Sequence, residues 1–343
     1  MSAPQPAGGR RVRRAVVIAA LAGLALSVAI ILKVGFDKIA LAFASIGWRG
    51  LLFMCLTYLP GVGVLAAAWL VLDARARPRE WLTLFFARLV RDASGELLPF
   101  SSVGGFVFGA RAAILGGMEP AMAFSTTVVD VTAEFISQLG YAAIGLALLG
   151  AGPAALESQR LLSSSLLGLV AGGIGAAAFI VFQHRASGFI ERQVARRAPS
   201  ALAQTSAVVA GVHGLYEKPL RLILSTALHF AGWILSAVGV WAGLWLAGQH
   251  MSLRLILGLE SLVYVVRTVT FAAPMGLGVI EAGYAAVAVL FGLPVHFAVA
   301  LSLIKRLRDI AIGLPALGLW QYMEGRRLIG PSRKPETAAR NAE

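Results

Sequence analysis

Charged side chains stand inside apolar stretches of this chain, at spacings that group them. Arg88, Arg91, Asp92, Glu96 and Arg111 fall in one apolar region. Asp130 and Glu134, four residues apart and so on one helical face, fall in the next. Glu260, Arg267 and Glu281 occupy a third region, and Lys305, Arg306, Arg308 and Asp309 a fourth. A charge at membrane depth costs about 2.5–3.5 kcal/mol on insertion scales, and such groups face a cavity or one another. The chemistry open to them is the sheltering of a polar or charged group inside a bilayer. Glu96, Arg111, Asp130, Glu134, Arg267, Glu281 and Arg308 are therefore the expected walls of a polar cavity, against the plainer alternative of buried structural ion pairs. Arg88 and Arg91 read equally well as anchors of a surface helix. Asp130 and Glu134 follow Pro120 at the distance at which Lys305–Asp309 follow Pro294, so the acidic cluster is expected to meet the basic one.

Two stretches break the apolar regions that carry these charges. The first is Arg91-Asp-Ala-Ser-Gly-Glu-Leu-Leu-Pro-Phe-Ser-Ser-Val-Gly-Gly105, continuing to Arg111; the second is Pro274-Met-Gly-Leu-Gly-Val-Ile-Glu281. Irregular backbone at membrane depth is tolerated only where protein or a water-filled cavity covers its N–H and C=O groups. Each stretch is thus a surface loop or the tip of a broken helix facing a site. A half-helix starting after such a break presents free N–H groups and a positive dipole end, which suits an anionic group such as a phosphate. Pro99, the Ser101 and Ser102 hydroxyls and the Gly104-Gly105 backbone hold that position in the first break. Pro274, Gly276 and Gly278 hold it in the second. The plainer account of these glycines is that they only permit the turn.

Other chemistries lack their residues. The five histidines are scattered with no pair at metal-binding spacing, so neither a zinc site nor any other metal centre is expected. The sequence has no Gly-x-Ser-x-Gly elbow, and Gly276-x-Gly278 follows no strand, so no nucleotide cofactor is expected. Cys55 is the single cysteine and excludes an internal disulfide.

The elements that must position these groups follow from composition. The chain of 343 residues is 58% hydrophobic and 14% charged, with mean hydropathy +0.78. Soluble domains sit near 45–50% apolar and 25% charged, so this chain belongs in a bilayer. The formal charge of +13 clusters at the ends of apolar runs and is not a nucleic-acid signal. Six runs reach the ~20 residues that a crossing needs: 15–34, 48–72, 120–150, 161–183, 219–247 and 294–324. Regions 80–116 and 253–292 carry the breaks and read as re-entrant hairpins. With the N-terminus inside, eighteen Lys and Arg fall in cytoplasmic segments and five (Lys33, Lys38, Arg49, Arg160, Arg254) outside, which places both termini in the cytoplasm.

Span, span, hairpin, long span describes 15–150 and again 161–324. Each half has three crossings, so the second is inverted relative to the first, an arrangement used by transporters. The fold expected is an all-α polytopic membrane protein of two inverted repeats, six spans and two hairpins. The alternative has eight spans, with Lys305–Arg308 in a loop. Residues 1–14 form a basic cytoplasmic start before a retained signal-anchor helix. Residues 184–218, with Phe189, Ile190 and Val194 on one side, read as an amphipathic helix on the cytoplasmic leaflet or as a charged connector. Residues 325–343 read as a disordered tail. Gly168 and Gly172 are spaced for helix packing.

Pro99, Gly104, Gly105 and Arg111, together with Pro274, Gly276, Gly278 and Glu281, resemble the two signatures of the flippase-like transmembrane domain found in lysylphosphatidylglycerol synthases and stand-alone relatives. The wording of the first stretch is most similar to the branch associated with hopanoid biosynthesis. The resemblance covers about residues 15–324; Met275 stands where relatives commonly have Gly. It implies a bacterial inner-membrane protein that moves lipids between leaflets, with hopanoids or phospholipids as cargo and lipid-biosynthesis enzymes as partners. The short segment after the last span implies that this chain lacks the soluble aminoacyl-transfer domain of the synthases. Lipid translocation, without catalysis, is the expectation. The rivals are a non-transporting scaffold for lipid-modifying enzymes and an intramembrane enzyme using Asp130 or Glu134 as an acid.

Overall fold

The computed structural model describes residues 21, 24–98, 101–151, 170, 173–175, 178, 181, 192–196, 200, 202–269 and 276–329. Side chains at 101–103, 268–269 and 328–329 are outside that description, as are Pro99, Pro274, Gly168, Gly172, Phe189, Ile190, most of the 161–183 run and the tail from 330.

Among the described residues every regular element is helical. An apolar helix α1 (Leu24–Val34) ends at Gly35, whose φ of 102° redirects the chain into α2 (Phe36–Leu70). Gly47, at φ 60° and ψ −172°, kinks α2 before its apolar part. After a short 3-10 turn (Pro78–Glu80) come α3 (Trp81–Leu97) and α4 (Ser101–Leu115), the two arms of the first hairpin. Next is α5 (Pro120–Gly150), with Pro120 in its first turn and the Glu119 carboxylate accepting from the backbone N–H groups of Ala121 and Met122 at 2.9 and 2.8 Å. Later elements are α6 (Leu202–Tyr216), α7 (Pro219–Leu246), the second hairpin's arms α8 (Leu253–Val269) and α9 (Val279–Leu290), and α10 (Val295–Ile329). The helices α2, α5 and α7 are long and apolar enough to cross a membrane. They turn large apolar side chains outward, among them Leu41, Trp48, Leu56, Ile223 and Trp245, as a lipid-facing surface does.

The packing repeats itself. α2 lies along α7, α3 on α10, and α2 on α10; correspondingly α8 lies on α5, and α7 on α5. Within each half the hairpin arms pack together and the second arm meets the long helix, α4 on α5 and α9 on α10. Exchanging the halves maps this set of neighbours onto itself, with α2–α7 as the self-related pair. The chain is an all-α polytopic membrane protein built from two repeats. Lys305–Arg308 lie inside the continuous α10, so the eight-span alternative with a loop there does not hold.

Small residues allow these close approaches. A Cβ on Gly105 would lie 2.8 Å from the Arg91 carbonyl oxygen, and one on Gly109 2.8 Å from Arg91 Cβ, so both glycines seat α4 on α3. Gly313 brings α10 equally close to Ala93 and Leu97 of α3. Near the α2–α7 crossing the Thr57 hydroxyl donates to the Gly239 carbonyl at 2.9 Å. The connector does not lie wholly apart from the bundle. Its described end, α6, packs on α5, burying Val212 and Leu215 and setting the Tyr216 hydroxyl 3.1 Å from Thr132 Oγ1.

These contacts predict opposite outcomes at neighbouring glycines. A Cβ on Gly104 meets only Phe108 at 3.8 Å. Gly105→Ala should lose about 1–3 kcal/mol through overpacking, while Gly104→Ala should be neutral or gain up to about 1 kcal/mol of helix propensity. Thermal unfolding of the purified protein in detergent reads both; equal effects would contradict the tight α3–α4 seat.

Candidate functional site

A cavity of about 610 Å³ lies where both hairpins, both long helices and the α2–α7 pair converge. The first hairpin contributes Arg88, Arg91, Asp92, Glu96 and Phe106, and the second Arg267, Gly276 and Ile280. α5 adds Glu134, Phe135 and Gln138, and α10 adds Lys305, Arg308 and Asp309. Tyr58, Trp233 and Tyr264 supply aromatic wall. A space of about 40 Å³ beside it is bounded by Glu260, Tyr284, Lys305 and Arg306.

The densest charge lies on one side of the cavity. Arg88 and Arg91 are buried and reach from α3 to α5. Arg88 donates through Nη2 to Glu134 at 2.8 Å and lies 3.6 Å from Asp130, while its Nε is 3.0 Å from Asp92. Arg91 donates to Asp130 at 2.5 Å and pairs with Glu134, with its guanidinium over the Phe106 ring at 4.6 Å. Planar guanidinium forks facing two carboxylates satisfy most of each other's hydrogen-bonding capacity, the condition under which charge can be buried. His229 of α7 closes the cluster, Nε2 lying 2.8 Å from Asp130 Oδ1. Asp92 turns to the cavity, where the Tyr58 hydroxyl approaches it at 3.5 Å.

The other half repeats the plan with the signs reversed. Arg88 stands seven residues beyond the first residue of α3, and Glu260 seven beyond the first of α8. Glu260 pairs with Lys305 and accepts from the Tyr284 hydroxyl at 2.7 Å, which in turn accepts from Lys305 at 2.6 Å. Glu281 is buried and holds Arg306 at 2.7 Å. Arg308 binds its neighbour Asp309 at 2.7 Å and lies over the Tyr58 ring at 4.4 Å.

This corrects the expectation that the acidic cluster of one half meets the basic cluster of the other. Each hairpin carries the sign opposite to its own long helix, so Asp130 and Glu134 are neutralised by Arg88 and Arg91, and Lys305 and Arg306 by Glu260 and Glu281. Arg88 and Arg91 are buried partners and not surface anchors. The halves are joined instead by Arg267 with Glu96, hairpin to hairpin, and by His229 with Asp130.

The structure places the other sequence candidates as follows. Glu96, Glu134, Arg267, Gly276 and Arg308 line the cavity; Asp130 and Glu281 stand behind its wall. Arg111 is outside, 38% exposed, and paired with Glu324 near the end of α10 at 2.6 Å. Gly104 and Gly105 are part of α4, and Gly105 seats it on α3. Gly276 and Gly278 turn the chain into α9 with φ of 58° and 75°, values costly for any residue with a Cβ. Ser101 and Ser102 begin α4, and Pro99 and Pro274 are outside the described residues. His229 was missed, although the signal was present: Ser225, His229, Trp233 and Ser236 recur on one face of an otherwise apolar helix. No group of three metal-binding side chains is found among the described residues.

Removing one partner of the buried cluster should be severe and removing the half-exposed pair mild. Glu134→Gln strands charge on Arg88 and Arg91 and should cost about 3–5 kcal/mol; Arg111→Ala should cost about 0–1 kcal/mol. Unfolding temperatures in detergent check this, and similar losses for both would refute the burial difference.

No curated protein and no solved structure matches the chain. A family match spans residues 16–316, described as Lysylphosphatidylglycerol synthase TM region. The chain belongs to that family of lipid-related multi-pass membrane proteins.

Proposed function

We propose that the protein is a lipid translocase of the bacterial inner membrane, with both termini in the cytoplasm, moving a hopanoid or a related membrane lipid between leaflets. The observation that carries this is the cavity of about 610 Å³ bounded by two broken hairpins and walled by both charged and aromatic side chains. A volume of that size accommodates a polar head group, while the apolar body of the lipid stays in the bilayer. Carboxylates (Asp92, Glu96, Glu134, Asp309) and cations (Arg88, Arg91, Arg267, Lys305, Arg308) face one space, so head-group donors and acceptors both find partners there. Two hairpins joined at Glu96–Arg267 form the element whose opening would admit a head group from either side. In this reading the chain performs no covalent chemistry, and lipid-biosynthesis enzymes are partners that supply or consume the cargo.

Leaflet exchange in proteoliposomes, with hopanoid in one preparation and fluorescent phospholipid in another, tests the reading. Vesicles with the protein should exchange lipid at least tenfold faster than protein-free vesicles. Glu96→Arg and Arg267→Glu should each lose most of that rate, and the double charge reversal should regain part of it. Folded protein giving the protein-free rate with both lipids would leave a non-transporting scaffold as the reading.

A further inference from the structure

We infer that His229 is a proton-binding site whose occupancy is coupled to the cavity, making the translocation proposed above proton-driven; this rests on that proposal. His229 is fully buried on α7. The Asp130 carboxylate can only accept, so Nε2 carries the hydrogen of the 2.8 Å contact. Nδ1 is then the position that gains or loses a proton, and it is buried without a hydrogen-bond partner. Ser225 Oγ, one helical turn earlier on the same face, is buried and unpartnered too. Two orphaned polar atoms on one face of an apolar helix have no packing rationale.

The charge inventory gives the site its meaning. Arg88 and Arg91 face three carboxylates, Asp92, Asp130 and Glu134, so the cluster carries one net negative charge when His229 is neutral and none when it is protonated. Elsewhere among the described ion pairs of the interior the signs cancel: Glu96 against Arg267, and Glu260, Glu281 and Asp309 against Lys305, Arg306 and Arg308. An imidazole can be neutral or cationic with its Nε2–H···Asp130 hydrogen bond intact. A proton on Nδ1 is therefore the variable charge in an otherwise balanced set of ion pairs.

The surroundings of His229 support this. α5 presents Asp130 and Glu134, and through them Arg88 and Arg91 of α3. α2 contributes Tyr58 beside Asp92. α6 carries His213 and Tyr216, the latter held by Thr132. α8 carries Tyr264 against Trp233 and Glu260, which is taken by Lys305. Protonation reaches the cavity through the two guanidiniums bound to Asp130: Arg91 also holds Glu134, and Arg88 also holds Glu134 and Asp92, all of which line the cavity. With His229 neutral, Asp130 draws more fully on the two guanidiniums and Asp92 keeps less of Arg88. The wall offered to a head group thus changes charge with the proton.

Two measurements on the full-length protein decide this. In the first, ¹⁵N-histidine NMR in detergent follows protonation from pH 5 to 8. Among the five imidazoles, one titrating signal of the wild type should be missing in His229→Gln, and Asp92→Asn should displace that titration, since it removes a carboxylate without touching the His229–Asp130 contact. A spectrum in which no titrating signal belongs to His229, or one that Asp92→Asn leaves in place, overturns the proposal. In the second, proteoliposomes with a fluorescent phospholipid receive a gradient of one pH unit. For one proton per lipid the steady-state leaflet ratio should shift up to about tenfold, and His229→Gln should lose that response. Exchange that equilibrates without following the gradient overturns the coupling and leaves the translocase standing. Absence of exchange in the wild type defeats the translocase reading and the coupling with it, whatever His229 titrates.

Discussion

Everything in this molecule is arranged around two guanidiniums that cannot be left alone. Arg88 and Arg91 are almost wholly buried, and either would be prohibitive at that depth without Asp130 and Glu134 opposite. Holding the four groups together requires α3 to sit within reach of α5 while its backbone packs on α10. The close seats at Gly105, Gly109 and Gly313 fix that position. The hairpin is thus located by sterics on one side and by charge on the other. The cavity is the space that remains when the second hairpin is placed by the same rules.

Helices opened by proline were legible in the sequence because their limits are set locally, whereas α2 begins at Phe36, ahead of the expected 48, and α10 continues to Ile329, into the expected disordered tail. Apolar runs 120–150 and 219–247 correspond to Pro120–Gly150 and Pro219–Leu246, each with proline in its first turn. The described arms of each hairpin lie on either side of the sequence breaks, α3 and α4 for the first and α8 and α9 for the second. The partners of the charges were not legible. Pairing depends on the rotation of each helix about its axis and on which neighbour lies within reach of a long side chain, and neither is written in spacing along one helix. Hence Lys305–Asp309 were matched to the wrong acids, and Arg111 was placed in a cavity from which its position on α4 excludes it.

His229 illustrates a different limit. A histidine in an apolar run has no motif, and only the recurrence of polar residues at Ser225, Trp233 and Ser236 shows that this face of α7 is not lipid-facing. The glycines of the first break show the converse. Gly104 and Gly105 suggested a backbone cradle for an anion, yet Gly105 closes a helix–helix seam, while Gly276 and Gly278 do shape a turn beside the cavity.

The reversal of charge sign between the two halves has a consequence for how such a molecule can exist. Among the described residues, three ion pairs bind one half to the other, Glu96 with Arg267, Asp130 with His229, and Arg111 with Glu324, and in each the partners differ in kind. Two copies of the first half would bring Glu96 and Asp130 to an interface with no Arg267 or His229 to receive them. Each of these ion pairs therefore needs one half of each kind. Joining the two halves in one polypeptide fixes the stoichiometry that this complementarity demands.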